Sequence, residues 1–182
     1  MIIGVCGKSG SGKSTLAKKI VELFGEKAIF VDIDEIGHNS LTVPDVKNKI
    51  AEFFGGDLVE NDIVNRKKLS RIVFDSKEQM DKLTEITWGY MESEIDKIVN
   101  ENRDKVIVLD WQLLPKTKFF SMCDCRILLD IPYEVRKQRI LQRDNITEEG
   151  FELREKASYD YDKESFDIVL DNNWICESMG EF

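Results

Sequence analysis

A glycine-rich run near the start of the chain closes on a lysine and two hydroxyl residues: Gly7-Lys8-Ser9-Gly10-Ser11-Gly12-Lys13-Ser14-Thr15. It satisfies G-x-x-x-x-G-K-[ST], follows an apolar run from Ile2 to Cys6, and opens an amphipathic stretch from Thr15 to Phe24. Glycines let a backbone bend around an anion without Cβ clashes, so successive N–H groups and the start of the helix point at phosphate oxygens. In such a loop the Lys13 ammonium reaches the β and γ phosphates of a nucleoside triphosphate, and the Ser14 hydroxyl ligates Mg²⁺. The competing reading is a flexible glycine turn that binds nothing, and the strand before and helix after the run argue against it.

A phosphate cradle does not by itself distinguish a switch, a motor and a phosphotransferase. Val106-Ile107-Val108-Leu109-Asp110 is a further apolar run that ends on a carboxylate, which places Asp110 near the metal. Trp111 follows where a motor ATPase would carry a catalytic glutamate. Asp34-Glu35-Ile36-Gly37 reads D-x-x-G, yet no [NT]-K-x-D guanine-reading string accompanies it. What is left is phosphoryl transfer, where catalysis is mostly charge neutralisation and alignment.

Arg136, Arg139 and Arg143 fall at i, i+3 and i+7 on one face of a helix that starts at Pro132, with an acidic stretch from Asp144 to Glu149 behind it. That pattern is expected to form a lid in which Arg139 or Arg143 faces the phosphates; a solvated helix face with Glu134 and Glu148 as partners is the alternative. Asp32 and Asp34 stand at the carboxyl end of the second apolar run, where a base for an attacking hydroxyl belongs, and share one face if the strand persists. Capping of the next helix is the other role open to Asp34.

The elements that must carry these groups are visible in the patterning. Apolar runs at Ile2 to Cys6, Ala28 to Ile33, Val106 to Asp110, Ile127 to Ile131 and Ile168 to Asp171 alternate with amphipathic stretches. This is an α/β pattern: five strands in a mostly parallel sheet with helices on both faces. The first helix ends at Gly25, and Pro44 to Phe54 opens on a proline and stops at Gly55-Gly56. From Asn65 to about Asn100 two helices follow without a strand, with Leu69, Ile72 and Val73 on one face and Leu83, Ile86, Tyr90, Met91, Ile95 and Ile98 on another. An insertion at about 40–100 is expected to roof the pocket at the strand ends, and a lid at about 132–160, within a single domain of residues 1–182.

The chain's 182 residues are about one domain's worth, and 42% hydrophobic with 34% charged residues excludes collagenous, mucin-like or wholly disordered chains. A net charge of -9, from 26 Lys+Arg against 35 Asp+Glu, argues against a surface for nucleic acid or an anionic membrane. An anionic ligand therefore needs a dedicated pocket. No basic leader precedes Gly4 and no apolar run approaches the ~18 residues of a membrane span, so a cytoplasmic location is expected. Cys6, Cys123, Cys125 and Cys176 lack paired spacing and His38 is the only histidine, which leaves no zinc site.

Several strings then converge. Met1 to Thr15 and the stretch Val31-Asp32-Ile33-Asp34-Glu35-Ile36-Gly37-His38, which reads D-x-D-x-x-x-H, resemble the opening of the dephospho-coenzyme A kinase family, a family of P-loop kinases. Asn65-Arg66-Lys67-Lys68-Leu69 with Ile72-Val73-Phe74 is similar to its [DN]-R-x-x-L-x-x-x-[VI]-F helix, and Gln142-Arg143-Asp144 to its lid arginine. Asp167-Ile168-Val169-Leu170-Asp171-Asn172 resembles its final strand and adenine-side turn. The resemblance implies a P-loop NTPase fold, ATP with Mg²⁺, and transfer to the 3′-hydroxyl of dephospho-coenzyme A with Asp34 as base; Gly7 to Thr15 and Asn172 would hold ATP, and Ser14 and Asp110 the metal.

Departures lie on the acceptor side. Trp88-Gly89 stands where the family has His-Pro, Trp111-Gln112-Leu113-Leu114-Pro115 replaces a Pro-Leu-Leu-Phe-Glu-like run, and no glutamine occurs around Lys156 to Ser158. Two other readings stay open at this stage. One is a nucleoside or nucleoside monophosphate kinase, with Trp88 and Trp111 stacked on a base rather than packed in the core. The other is a non-catalytic nucleotide-binding protein.

Overall fold

A computed structural model describes residues 1–74 and 76–171 of the chain. In chain order, β1 (Ile2–Gly7), α1 (Lys13–Phe24) and β2 (Ala28–Asp32) come first. Next are α2 (Ile33–Ser40), α3 (Pro44–Phe54), β3 (Val59–Glu60), β4 (Ile63–Val64), α4 (Arg66–Phe74) and α5 (Lys77–Glu101). Then follow β5 (Val106–Asp110), α6 (Lys118–Met122), β6 (Cys125–Leu129), α7 (Tyr133–Asp144), α8 (Glu148–Lys156) and β7 (Ile168–Leu170). The described residues fall into two compact units: Met1–Asp32 with residues 102–171, and Ile33–Glu101. The second unit begins at Ile33.

In the first unit, a five-stranded sheet of order β2-β5-β1-β6-β7 is parallel throughout. Its central strands are covered on both faces, which is why they read as continuous apolar runs: Val5 and Val108 are fully buried, and Leu128 and Leu129 nearly so. Helix α1 lays Leu16 and Ala17 on this core, with Ile20 and Val21 beside them, and these positions share one helical face. The Gly25 N–H closes α1 on the carbonyls of Val21 and Glu22.

Strand boundaries depart from the sequence expectation at four places, the first being β1, which runs on past Cys6 to Gly7. β2 stops at Asp32, one residue before Ile33; β6 runs from Cys125 to Leu129 instead of Ile127 to Ile131; and β7 stops at Leu170. At β6 the cause is Arg126, a charged residue that looks like loop. Its guanidinium is neutralised by Asp167, which accepts from Nε at 3.0 Å and Nη2 at 3.1 Å, and its backbone N–H donates to the same carboxylate at 2.8 Å.

The second unit has its own core, in which Val46, Ile50, Leu58, Val64, Leu69 and Val73 are buried. A small antiparallel hairpin, β3 with β4, turns through Asn61 and Asp62 at φ 51° and 65°, the left-handed pair that a tight hairpin requires. Buried Lys47 ties this turn down through Asp62 Oδ1 at 2.5 Å. Strands this short show no alternation, so the pattern reading passed over them. On α5 the buried positions are Thr87, Met91, Ile95 and Val99, a ladder of four-residue steps. Tyr90 and Ile98, expected on that face, are only half-buried. Among the described residues no helix is long and apolar enough to cross a membrane.

Candidate active site

Central β1 delivers the glycine run to the carboxyl edge of the sheet between β5 and β6, since Val5 is level with Asp110 on one side and Ile127 on the other. Helix α1 starts directly after the run, at Lys13. Its N-cap, Gly12, offers no side chain to the first-turn amides, and no acidic residue stands in that turn. Open N–H groups and the positive end of the helix dipole are what a phosphate needs there. Ser11 Oγ is buried in the loop and has no hydrogen-bond partner among the described residues, so the cradle also holds an unspent hydroxyl.

The loop is pressed against α7. A Cβ at Gly10, whose φ is +79°, would stand 2.8 Å from the Arg136 carbonyl oxygen and 2.9 Å from Ile140 Cγ1. Backbone and a fully buried isoleucine cannot give way, so Gly10→Ala is expected to destabilise the protein by roughly 2–4 kcal/mol, through overpacking plus the left-handed backbone. Urea unfolding measures this, and an unchanged midpoint would contradict the close packing.

On the β5 side, Ser14 Oγ donates to Asp110 Oδ2 at 2.5 Å, and the Asp110 side chain is almost wholly buried. The β2–β5 register sets Asp32 level with Asp110. A hydroxyl and carboxylates, all hard oxygen donors at the mouth of a phosphate loop, fit Mg²⁺ in preference to a softer ion.

The three α7 arginines divide. Arg136, only 4% exposed, donates from Nε to Ile131 O at 3.0 Å and from Nη1 to Ser9 O at 3.4 Å, and grips Glu155 with both terminal nitrogens at 2.7 and 2.9 Å. Arg139 Nη1 comes to 3.5 Å from Gly10 O. Arg143 is exposed and is held on Asp144, at 2.7 and 3.2 Å. Where the solvated-face alternative has Glu134 and Glu148 as partners, Arg136 takes Glu155, Arg143 takes Asp144, and Glu148 takes Lys137 at 2.8 Å. For Arg136 and Lys137 the reason is the turn into α8, which brings Glu155 and Glu148 back onto α7.

Glu155 also accepts from Lys8 Nζ at 3.1 Å, and Asp160 accepts from the same ammonium at 2.9 Å. Burial opposes charge on Lys8, but the Asp160 and Glu155 carboxylates outweigh it and hold the ammonium above the ordinary lysine range. The hydrogen bonds from Arg136, joined by Lys8, keep Glu155 below the ordinary glutamate range against its burial. Beside this cluster a cavity of about 320 Å³ is lined by Lys8, Asp130, Tyr133, Arg136, Asp160 and Lys163 among others.

Asp144 binds Arg143 and Arg154 together, which ties the end of α7 to α8. The Arg143 hydrogen bond, with that of Arg154 and against partial burial, depresses its carboxyl to about 2. A depressed acid contributes stability that is full above its unfolded value of about 3.9 and is lost as pH falls toward the folded value. Between pH 4 and 2 the wild type should therefore lose urea resistance more steeply than Asp144→Asn, and equal slopes would contradict the linkage.

In the second unit, Asp34 does not continue β2. The strand ends at Asp32, and Asp34 lies exposed in the first turn of α2 beside Glu35, where the helix dipole favours acids. Asp32 and Asp34 therefore do not share a strand face. His38 is exposed near the end of α2 and Trp88 is half-buried on α5, whereas Trp111 is buried in the first unit, directly after β5. Asn172 and Cys176 lie outside the described residues. Pattern reading missed Glu155, Asp160 and Tyr161, although a lysine inside the glycine run, Lys8, was a signal that carboxylates must lie nearby.

A family model described as dephospho-CoA kinase matches residues 1–177. A dephospho-CoA kinase of Fusobacterium nucleatum subsp. nucleatum is 33% identical over 182 residues, covering 98% of this chain and 93% of the relative. One from Aquifex aeolicus is 35% identical over 180 residues, covering 96% and 90%. Among solved structures, a Thermus thermophilus protein superposes with a TM-score of 0.77 at 22% identity, covering 94% of this chain and 88% of its own. A dephospho-CoA kinase from Campylobacter jejuni gives 0.55 at 23% identity, covering 94% and 87%; both structures speak for the fold alone.

Proposed function

The chain belongs to the dephospho-CoA kinase family, and on that premise we propose how its own residues carry out the ATP-dependent phosphorylation of dephospho-CoA. The observation that carries the assignment of roles is the Ser14 to Asp110 contact of 2.5 Å at the head of an uncapped helix. A triphosphate tail is held by the amides of Gly7 to Thr15, and the Lys13 ammonium neutralises the β and γ oxygens. Ser14 would ligate Mg²⁺ and Asp110 would support it from β5; the ion, when bound, neutralises charge that develops across the phosphates.

On the acceptor side, Asp34 takes the proton from the 3′-hydroxyl of dephospho-CoA as the new O–P bond forms, and ADP departs with the electrons of the broken bond. Its exposure in the first turn of α2 supports that role, since a base must be reachable by an incoming hydroxyl. Of the two arginines singled out, Arg139 is the better placed to meet phosphate charge, because its Nη1 comes to 3.5 Å from the Gly10 carbonyl oxygen in the loop.

A Mg²⁺ titration of ADP release tests the assignment, with dephospho-CoA as acceptor and the product identified by its gain of one phosphate. Asp110→Asn is expected to raise the Mg²⁺ concentration needed for half-maximal rate about 10–100-fold, as loss of a supporting carboxylate does at other metal sites. An unchanged titration curve on folded protein removes Asp110 from the metal site.

A further inference from the structure

We propose that Tyr161 is a positioning residue for the phosphate loop: its hydroxyl locks the first loop residue, Gly7, to Gln112 beyond β5, and so sets the cradle that receives ATP. The inference rests on the reading that this loop holds the triphosphate. Tyr161 Oη accepts the Gly7 N–H at 3.2 Å and donates to the Gln112 carbonyl at 2.9 Å. Both bonds at once require a protonated phenol, which alone offers a donor and an acceptor on one atom. Burial holds this phenol well above the ordinary tyrosine range, so both bonds persist across the pH range in which an enzyme works.

The placement explains why the tie is needed. Backbone pairing between β1 and the chain leaving β5 runs up to the Trp111 N–H, which donates to Val5 O at 3.2 Å. Past that rung Gly7 turns into the loop and Gln112 leaves the sheet, and the tyrosine hydroxyl supplies the next connection. Asp110, which holds Ser14, stands two residues before Gln112 and level with Val5, two residues before Gly7. The ring is itself held edge-to-face by Tyr159, at 5.1 Å between centroids, and by buried Phe166 at 5.8 Å. Asp160, next in the chain, holds Lys8. Tyr161 thus acts through the Gly7 amide, and its removal should be felt at the nucleotide and not at the acceptor.

Tyr161→Phe deletes the hydroxyl and keeps the ring. The expected result is a rise of about tenfold in KM for ATP, the scale of one partially buried donor left unmade, with KM for dephospho-CoA and the Tm little changed. Hydrogen exchange at the Gly7 amide is a second readout, and it should accelerate in the variant. An unchanged KM for ATP overturns the proposal, as does a fall in Tm with both KM values and kcat worsening together, which marks a tyrosine that only stabilises the fold. Unaltered Gly7 exchange overturns it as well. Lys13→Ala is measured alongside: if that variant keeps full activity, the loop reading itself fails, whereas an inactive Lys13→Ala with an unaffected Tyr161→Phe refutes the tyrosine's role alone.

Discussion

Replacing Lys13 with Ala is expected to lower kcat/KM by about 10²–10³-fold, the scale seen when one preorganised donor to developing charge is removed. Lys13 is the first residue of α1, and Gly12 before it carries no side chain to take over. The helix should survive the change, because Ala is the best helix former and the buried anchors Leu16 and Ala17 are untouched. Lys13→Arg should not restore the rate: the planar guanidinium is larger than the ammonium it replaces and presents its charge in a different geometry. Steady-state assay of ADP release measures both variants. Turnover at the wild-type level in Lys13→Ala would take the lysine out of the chemistry.

Asp34→Asn should reduce kcat by about 10²–10⁴-fold, the range for loss of a positioned base, with little change in KM for either substrate. The side chain is exposed in the first turn of α2, so the isosteric amide disturbs no core, and the helix loses only a modest dipole interaction. The unfolding midpoint should stay within a few degrees. A variant that keeps kcat would move the base elsewhere, and one that raises KM for dephospho-CoA at constant kcat would make Asp34 a binding residue instead.

Local chemistry explains which features could be read before the fold was known. Pro44 to Phe54 is found with both ends intact, because proline opens α3 and Gly55 ends it. Val106 to Asp110 is equally plain, since a central parallel strand is apolar on both faces. Arg126 hid the start of β6, because the carboxylate that neutralises it is Asp167, far along the chain. The loop, Lys13, Ser14 and Asp110 were legible through spacing and strand ends. The grip of Glu155 on Lys8 and Arg136, and of Tyr161 on Gly7, was not, as contacts between such distant positions leave no periodic trace. The acceptor-side departures at Trp88 and Trp111 left other kinases open, and the family match over residues 1–177 decides for dephospho-CoA.

Strand order also dictates the sequence of events at the ribosome. β1 precedes the other described strands, yet among the described residues it pairs only with β5 and β6, and β2 only with β5. Neither early strand has a sheet partner until residues 106–110 have emerged, whereas Ile33–Glu101 carries its own core within one continuous segment. During vectorial synthesis the inserted segment is therefore able to condense first, as local contacts do, while the nucleotide cradle waits for β5 to be translated.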